Sequence, residues 1–289
     1  MRQHQRQAAQ DERGSRRRAL RWLGLVLAVS LLTATFGLDA AGAKKKKRRS
    51  LPPPPPDLPG QIDYYARQLA GVPLDESAPL AEKIQKLVLD HLGGWFAQQP
   101  PSDVPTGVQV RRELENVFSK LHYPFFGQPA VFTELWKGGT LIGAGYTLGW
   151  TDYDRANVVA LFESREGKTR QAALTNFVPR TDLHYERLIV PGTDDFRFFV
   201  YGTRLGKSQP RLTVVLYSYD GQSLKTLWET RDAYDGKMDV DKEKVTIRYL
   251  KEEEYIRETL RKRKPPRYEA TYKITPQGLE LEAEHEIQF

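Results

Sequence analysis

Two closely spaced aspartates, Asp152 and Asp154, form the acid pair of this sequence with the most enzyme-like surroundings. They lie in the segment WTDYDR, beside Trp150 and Tyr153. Hydrolysis of a glycosidic bond needs two carboxyl groups about 5 to 9.5 Å apart, one of them with a raised pKa. An Asp-rich turn between two strands explains the same residues. The segment therefore supplies one hypothesis, a carboxylate-dependent, glycosidase-like hydrolase, with a plain turn as the alternative.

A second pair, Asp235 and Asp239, resembles part of a calcium loop. The segment DAYDGKMDVDKE places Asp235 directly before Gly236, and Asp239 follows three residues later. Arg231 and Ala233 stand where such a loop needs Asp or Asn ligands. The pattern favours a turn rich in Asp, with a metal site at Asp235 and Asp239 as the alternative.

The segment GTRLGKS, residues 202–208, is one residue shorter than a phosphate-binding P-loop. A P-loop also needs a following helix, whose N-terminal amides hold phosphate, whereas Pro210 and the strand-like RLTVVLY follow here. We interpret the segment as a connection between two strands of a hairpin.

The chain of 289 residues contains no cysteine. This excludes disulfides, Cys-ligated zinc, iron–sulfur clusters, thiol nucleophiles and an acylated lipoprotein anchor. No cofactor is predicted.

The positive charge is confined to the N-terminal end of the sequence. The formal net charge is +7, yet residues 1–49 carry 13 Lys and Arg against three Asp and Glu, and the remainder is slightly acidic. A nucleic-acid-binding domain spreads its cations over the surface that meets the phosphates. Sequence-specific nucleic-acid binding is therefore not expected.

Residues 1–43 have the layout of a secretory signal. An Arg-rich start precedes the uncharged run at residues 22–38, and Ala41 and Ala43 supply the small residues of a cleavage site. An uncleaved membrane anchor is the alternative, although the run is at the short end of a bilayer span. We expect the folded part to be periplasmic or extracellular, or anchored and facing outward.

The export route has two candidates. The segment SRRRALR, residues 15–21, resembles the twin-arginine export signal and departs from it at Ala19, where a large apolar residue is usual. That resemblance implies export of a folded protein, and general secretion is the alternative.

Residues 44–60 read as a basic and Pro-rich linker. Five prolines at 52–56 form a stiff spacer. We expect the cations to be solvated, with contact to a membrane surface as their candidate partner. These cations are Lys44, Lys45, Lys46, Lys47, Arg48 and Arg49.

The exported part divides into a helical region at 61–126 and an antiparallel β domain at 127–289. Apolar residues at helical spacing predict helices near 62–69, 80–95 and 110–121, with an end or kink at Gly93 and Gly94. Beyond residue 129 the apolar period becomes two. The fold class is therefore α+β, with a β-meander that closes as a sandwich, a barrel or part of a propeller. The predicted strands are 131–136, 140–148, 156–164, 169–176, 183–190, 196–203, 211–219, 223–230, 244–250, 267–274 and 279–287.

The last hairpin is the most regular local pattern. In LELEAEHEIQF, apolar residues alternate with glutamates, which predicts one packed and one solvated face. A four-residue turn at TPQG then predicts three cross-strand pairs. These are Lys273 with Glu280, Arg267 with Glu286, and Tyr268 with His285.

The sequence favours a non-catalytic binding or scaffolding protein of the cell envelope over a hydrolase. An envelope protein or a glycan is the expected partner. Three tryptophans, Trp136, Trp150 and Trp228, are candidate platforms for it, with core packing as the alternative role.

Overall fold

A computed structural model describes residues 52–69, 71–100, 103–120, 129–148, 156–177, 183–204 and 209–287. Residues Pro53–Phe289 form one compact unit. Among the described helices, none is long and apolar enough to cross a membrane.

Three helices precede the strands: α1 (Leu58–Leu69), α2 (Leu74–Ala97) and α3 (Gly107–Phe118). Helix α3 begins at a capping box, in which the Thr106 hydroxyl accepts a hydrogen bond from the Gln109 amide and the Gln109 side chain accepts one from the Thr106 amide. Of the predicted end or kink at Gly93 and Gly94, the end is wrong, because α2 continues through both glycines, and the kink stays a prediction. Burial of Leu92 and Phe96 on either side of them offsets the low helix propensity of glycine.

Four strands form the first sheet in the order β1-β2-β3-β4, all antiparallel. They are β1 (Ala130–Trp136), β2 (Gly139–Leu148), β3 (Ala156–Arg165) and β4 (Lys168–Phe177). Two-residue turns close its outer hairpins, with positive φ at Lys137 and Gly138 and at Glu166 and Gly167. This is the turn geometry that matches the twist of paired strands.

Seven strands form the second sheet in the order β11-β10-β9-β8-β7-β6-β5. Strand β8 runs ten residues beyond its predicted end, so the segment expected to be an Asp-rich turn is largely strand. The strands are β5 (His184–Leu188), β6 (Phe196–Arg204), β7 (Arg211–Tyr219), β8 (Leu224–Val240), β9 (Lys244–Leu250), β10 (Arg267–Thr275) and β11 (Gly278–Ile287), with helix α4 (Glu252–Leu260) between β9 and β10.

The four-stranded sheet is the middle of three layers. On one face Phe162 packs in a cluster with Phe96 and Leu114 of the helices. On the other face Leu161 packs in a cluster with Phe198 of the seven-stranded sheet. Adjacent residues of β3 are therefore buried against different layers.

The seven-stranded sheet is strongly curved, and the face that does not meet the four-stranded sheet packs against its own strands. A third apolar cluster joins Phe199 of β6 to Ile247 of β9. Two strands separate β8 from β11 in the sheet order, yet a Cβ on Gly278 would lie 3.2 Å from the Leu227 carbonyl oxygen. The predicted fold class, an α+β protein with antiparallel β-meanders, is confirmed.

The last hairpin follows its predicted register only near the turn. Lys273 lies opposite Glu280, as predicted. A β-bulge between Thr271 and Tyr272 then moves the remaining pairs by one residue, so the other two predicted pairs are wrong. The pairs beyond the bulge are Thr271 with Ala283, Ala270 with Glu284, Glu269 with His285, Tyr268 with Glu286, and Arg267 with Ile287.

Candidate functional site

Several predicted site residues lie outside the described residues. These are the acid pair Asp152 and Asp154, the cleavage-site residues Ala41 and Ala43, and the basic run at 44–49. The hydrolase hypothesis based on the acid pair therefore stays a prediction.

The two aspartates of the calcium-like segment each contact an arginine. Asp235, at a φ of 45° in β8, forms an ion pair with Arg267. Asp239 lies 2.7 Å from Nη1 of Arg248. Within the described ranges, no group of three or more His, Asp or Glu side chains is arranged to hold a metal ion. The two aspartates thus form separate ion pairs with arginines on other strands of the sheet.

The segment that resembles a P-loop begins at the end of β6, where Gly202 pairs with Thr213 of β7. It connects two adjacent antiparallel strands, as the sequence predicts. Of the candidate aromatic platforms, Trp228 packs edge-on against Tyr272, and Trp136 is buried against Tyr219. Trp150 lies outside the described residues.

A cleft of about 410 Å³ opens where three hairpin turns meet. The β1–β2 turn, the β3–β4 hairpin and the β7–β8 turn each supply part of its wall. Its lining contains the cations Lys137, Arg165, Lys168 and Arg170, the carboxylates Glu163 and Asp220, and Trp136, Gly221 and Gln222. We call this the hairpin cleft.

The arginines of the hairpin cleft are held by a buried carboxylate. Glu163, whose side chain is 7% exposed, lies 3.0 Å from Arg165 and 2.5 Å from Arg170, one arginine on each oxygen. Arg165 also donates to the Lys137 carbonyl oxygen at 3.2 Å. A guanidinium has five N–H donors, so both arginines retain donors for a further anionic group.

The second carboxylate, Asp220, organises the β7–β8 turn. It accepts hydrogen bonds from the amides of Ser223 and Gln222 at 2.8 and 2.9 Å, and from Lys225 at 3.0 Å. The Ser223 and Gln222 amides, with Lys225, hold the pKa of Asp220 well below its usual range. Asp220 is therefore an ionised structural acceptor at neutral pH.

The aromatic wall of the hairpin cleft is the Trp136 side chain, which neighbouring residues hold in place. The Trp136 indole N–H donates to the Asp194 carbonyl oxygen at 3.1 Å, and Lys137 Nζ lies 4.8 Å from the centre of the indole ring. A Cβ on Gly221, at a φ of 104°, would lie 3.3 Å from the indole. The glycine therefore packs closely against that edge of the ring, where a side chain would crowd the indole.

Tyr219 lies below the same wall, fully buried against Trp136. Its hydroxyl has no hydrogen-bond partner within the described part of the chain. Burial raises the pKa of Tyr219, and the charge of Glu163 raises it further while Arg170 lowers it. The phenol thus stays neutral beside the charged groups of the cleft.

The sequence contained one signal for this cleft: the segment ESREGKTR, residues 163–170, carries three cations around a Glu-Gly turn. A charged hairpin tip is also typical of a solvated turn. Sequence alone did not reveal that two other turns lie beside it.

No family model and no curated protein sequence matches the chain. One solved structure, of the α-L-arabinofuranosidase Arb93A from Fusarium graminearum in complex with an iminosugar inhibitor, aligns at 7% identity with a TM-score of 0.31. The alignment covers 55% of this chain and 48% of that chain. At this level the likeness carries no argument about fold or activity.

Proposed function

We propose that this chain is an exported, non-catalytic binding protein of the cell envelope that holds an anionic glycan in the hairpin cleft. The export part rests on the N-terminal sequence, with its apolar run, small-residue site and basic linker. The binding part rests on the cleft.

The observation that carries the proposal is the surplus of positive charge in the cleft. Four cations face two carboxylates, and both carboxylates are already bound by neighbouring donors. Lys168 is exposed and has no ion-pair partner among the described residues. A ligand with carboxylate, sulfate or phosphate groups would supply the missing negative charge.

The size and the wall of the cleft suit a saccharide. Its volume of about 410 Å³ lies in the range of small-ligand sites, roughly 300 to 1,000 Å³. Trp136, although largely buried, lines the cleft beside the cations, and Gln222 supplies an amide that can bind hydroxyl groups. This combination favours a charged sugar over an inorganic ion.

The same carboxylates argue against hydrolysis at this cleft. A general acid must be protonated near neutral pH, which requires a raised pKa. The pKa of Asp220 is lowered instead, and both oxygens of Glu163 face arginines. A hydrolase would have to use other groups, for which Asp152 and Asp154 are the sequence candidates.

The experiment measures binding of an alginate oligosaccharide, a chain of carboxylated sugars, by titration calorimetry. A neutral cello-oligosaccharide of the same length is the comparison ligand. We expect Lys137→Gln combined with Lys168→Gln to weaken alginate binding about tenfold, because two charge-assisted contacts are lost. Lys273→Gln, an exposed cation on β10, is the control and should leave the affinity unchanged.

Equal affinity for the neutral oligosaccharide, or an unaffected double variant, would refute the proposal. Release of shorter oligosaccharides by the wild-type protein, lost on Asp152→Asn with Asp154→Asn, would establish the hydrolase instead.

A further inference from the structure

Helix α4 is an excursion between β9 and β10 with a polar inner face. Glu252 accepts hydrogen bonds from Tyr234 at 2.5 Å and from Arg211 at 2.9 Å. The Tyr255 ring lies 5.8 Å from the Tyr234 ring. Tyr268 donates to Glu254 at 2.6 Å. These contacts fix which side of the helix faces the sheet.

The outer face of α4 exposes two apolar side chains, with the exposed Glu253 one turn before the first of them. Ile256 and Leu260, one helical turn apart, are 48% and 80% exposed, and no residue of the helix is buried. At this position the Leu260 side chain adds no hydrophobic stabilisation, because it remains in water. The face is therefore unpartnered within the described part of the chain.

Cations surround this apolar face at the C-terminal end of the helix. Residues 257–264 read RETLRKRK, with five cations and a single acid, Glu258. Arg257, Arg261 and Arg263 all lie within 4 Å of the Glu258 carboxylate, at 3.0, 3.8 and 2.7 Å. One acid thus holds three arginines together, and the surface keeps a large positive excess.

We infer that α4 docks on an anionic lipid surface, with Ile256 and Leu260 entering the head-group boundary and Arg261, Lys262 and Arg263 contacting lipid phosphates. We call these five residues the α4 surface. A short amphipathic helix with an apolar face and flanking cations is suited to lie in the plane of a membrane interface. The inference does not depend on the hairpin cleft or its ligand.

Charge and exposure together select lipid over a soluble polyanion. A nucleic acid or an acidic glycan would neutralise the cations and leave Ile256 and Leu260 in water. A bilayer interface satisfies both features, because head groups bind the cations while the acyl boundary accepts the apolar side chains. Of the three glutamates of the first turn, Glu252 and Glu254 bind side chains of the sheet and Glu253 is exposed; all three precede the five cations, which lie at the other end of the helix and just beyond it.

The test exploits the absence of cysteine from the chain. Leu260→Cys in the full chain is labelled with a polarity-sensitive fluorophore and titrated with vesicles. We expect a blue shift with phosphatidylcholine vesicles that contain phosphatidylglycerol, and little change with phosphatidylcholine alone. The same label at Leu281→Cys, a 56% exposed leucine between glutamates, is the control and should not respond. Because the label reports its own surroundings, lipid contact by the N-terminal segment does not mimic the signal.

A charge variant tests the basic half of the α4 surface. The variant Arg261→Gln with Lys262→Asn removes two positive charges. Asparagine is chosen for position 262 because it tolerates the φ of 56° found there. We expect it to raise the half-saturating lipid concentration about tenfold. Lys242→Gln with Lys244→Gln, two exposed cations around the β8–β9 turn, removes the same charge elsewhere and should change it less than about twofold.

Three results would overturn the inference. The first is an unchanged emission wavelength of the label at position 260 on anionic vesicles. The second is an equal loss of vesicle binding in the two charge variants. The third is the same blue shift with soluble polyphosphate. The last result would identify a polyanion site instead of a lipid-docking surface.

Discussion

Strands β3 and β11 differ in how many of their faces are covered. In β3 every residue from Val158 to Ser164 is buried, because helices lie on one face and the seven-stranded sheet on the other. In β11 only Gly278 and Leu279 are buried, and Leu281 is 56% exposed. The two strands have the same length, so position in the layers decides their burial.

This difference is written into their sequences. Strand β3 contains the unbroken apolar run VVALF, which is typical of a strand covered on both faces. Strand β11 alternates apolar and acidic residues, which suits one covered face at most. An edge strand with a row of glutamates also resists pairing with another chain. The stability of the fold should therefore depend on the four-stranded sheet far more than on the last hairpin.

The largest expected effect tests that comparison directly. Phe162→Ala should lower the free energy of unfolding by about 3 to 5 kcal/mol, because it leaves a cavity between β3 and the helices. The Phe162 ring is 2% exposed and lies 4.9 Å from the Phe96 ring. Leu281→Ala on β11 is the matched change at an exposed site and should cost less than about 0.5 kcal/mol.

Urea unfolding followed by tryptophan fluorescence measures both changes. Similar losses for the two variants would mean that β11 is covered in solution, and the comparison would fail.

A glycine in the four-stranded sheet gives the next largest effect. A Cβ on Gly143 would lie 1.8 Å from Cε1 of Phe132, its cross-strand neighbour. That ring cannot retreat easily, because it stacks on Tyr185 at 3.7 Å and lies among buried aromatic rings. Gly143→Ala should therefore destabilise the protein by roughly 1 to 3 kcal/mol through overpacking.

Double-variant analysis separates overpacking from a change in strand propensity. Phe132→Leu should relieve part of the steric clash caused by Gly143→Ala. The loss of unfolding free energy in the double variant should therefore be smaller than the sum of the losses in the two single variants. Additive losses would contradict the steric explanation.

The antiparallel pairing of consecutive strands could be predicted because their turns are short and carry clear signals, whereas the division into two sheets could not. Lys137-Gly138 and Glu166-Gly167 close two-residue hairpins, and such turns leave little choice of partner strand. The helices followed from apolar spacing. The bulge was not predictable: the extra residue is Glu282 of β11, one of four alternating glutamates with nothing in its residue type to mark it, while β10 keeps an unbroken register with β9.

The candidate site was harder to predict than the fold. Lys137, Arg170 and Asp220 are far apart in sequence and belong to three different hairpins. Their proximity depends on the stacking of the two sheets, which no local pattern specifies. The buried Glu163 is also unexpected, since a glutamate on a hairpin normally faces water, and only its two arginine partners explain its burial.

The smallest expected effect concerns a polar contact of the last hairpin, the hydrogen bond from Tyr268 of β10 to Glu254 of helix α4. The hydrogen bond from Tyr268 to Glu254 raises the pKa of Tyr268 to about 12, from an ordinary value near 10. A pKa raised on folding adds stability that is complete below pH 10 and is lost as the pH rises towards 12. Tyr268→Phe should thus cost about 1 kcal/mol or less at pH 8, and the gap to the wild type should narrow between pH 10 and 12. Other tyrosines titrate in both proteins and cancel in the difference.

Urea unfolding at a series of pH values measures the difference in unfolding free energy between Tyr268→Phe and the wild type. Glu254→Gln is the control background, in which Tyr268→Phe should show a much weaker pH dependence. A gap that stays constant from pH 8 to 12 would mean that the contact does not stabilise this edge of the sheet, leaving the burial of Leu279 and the cross-strand pairs to hold it.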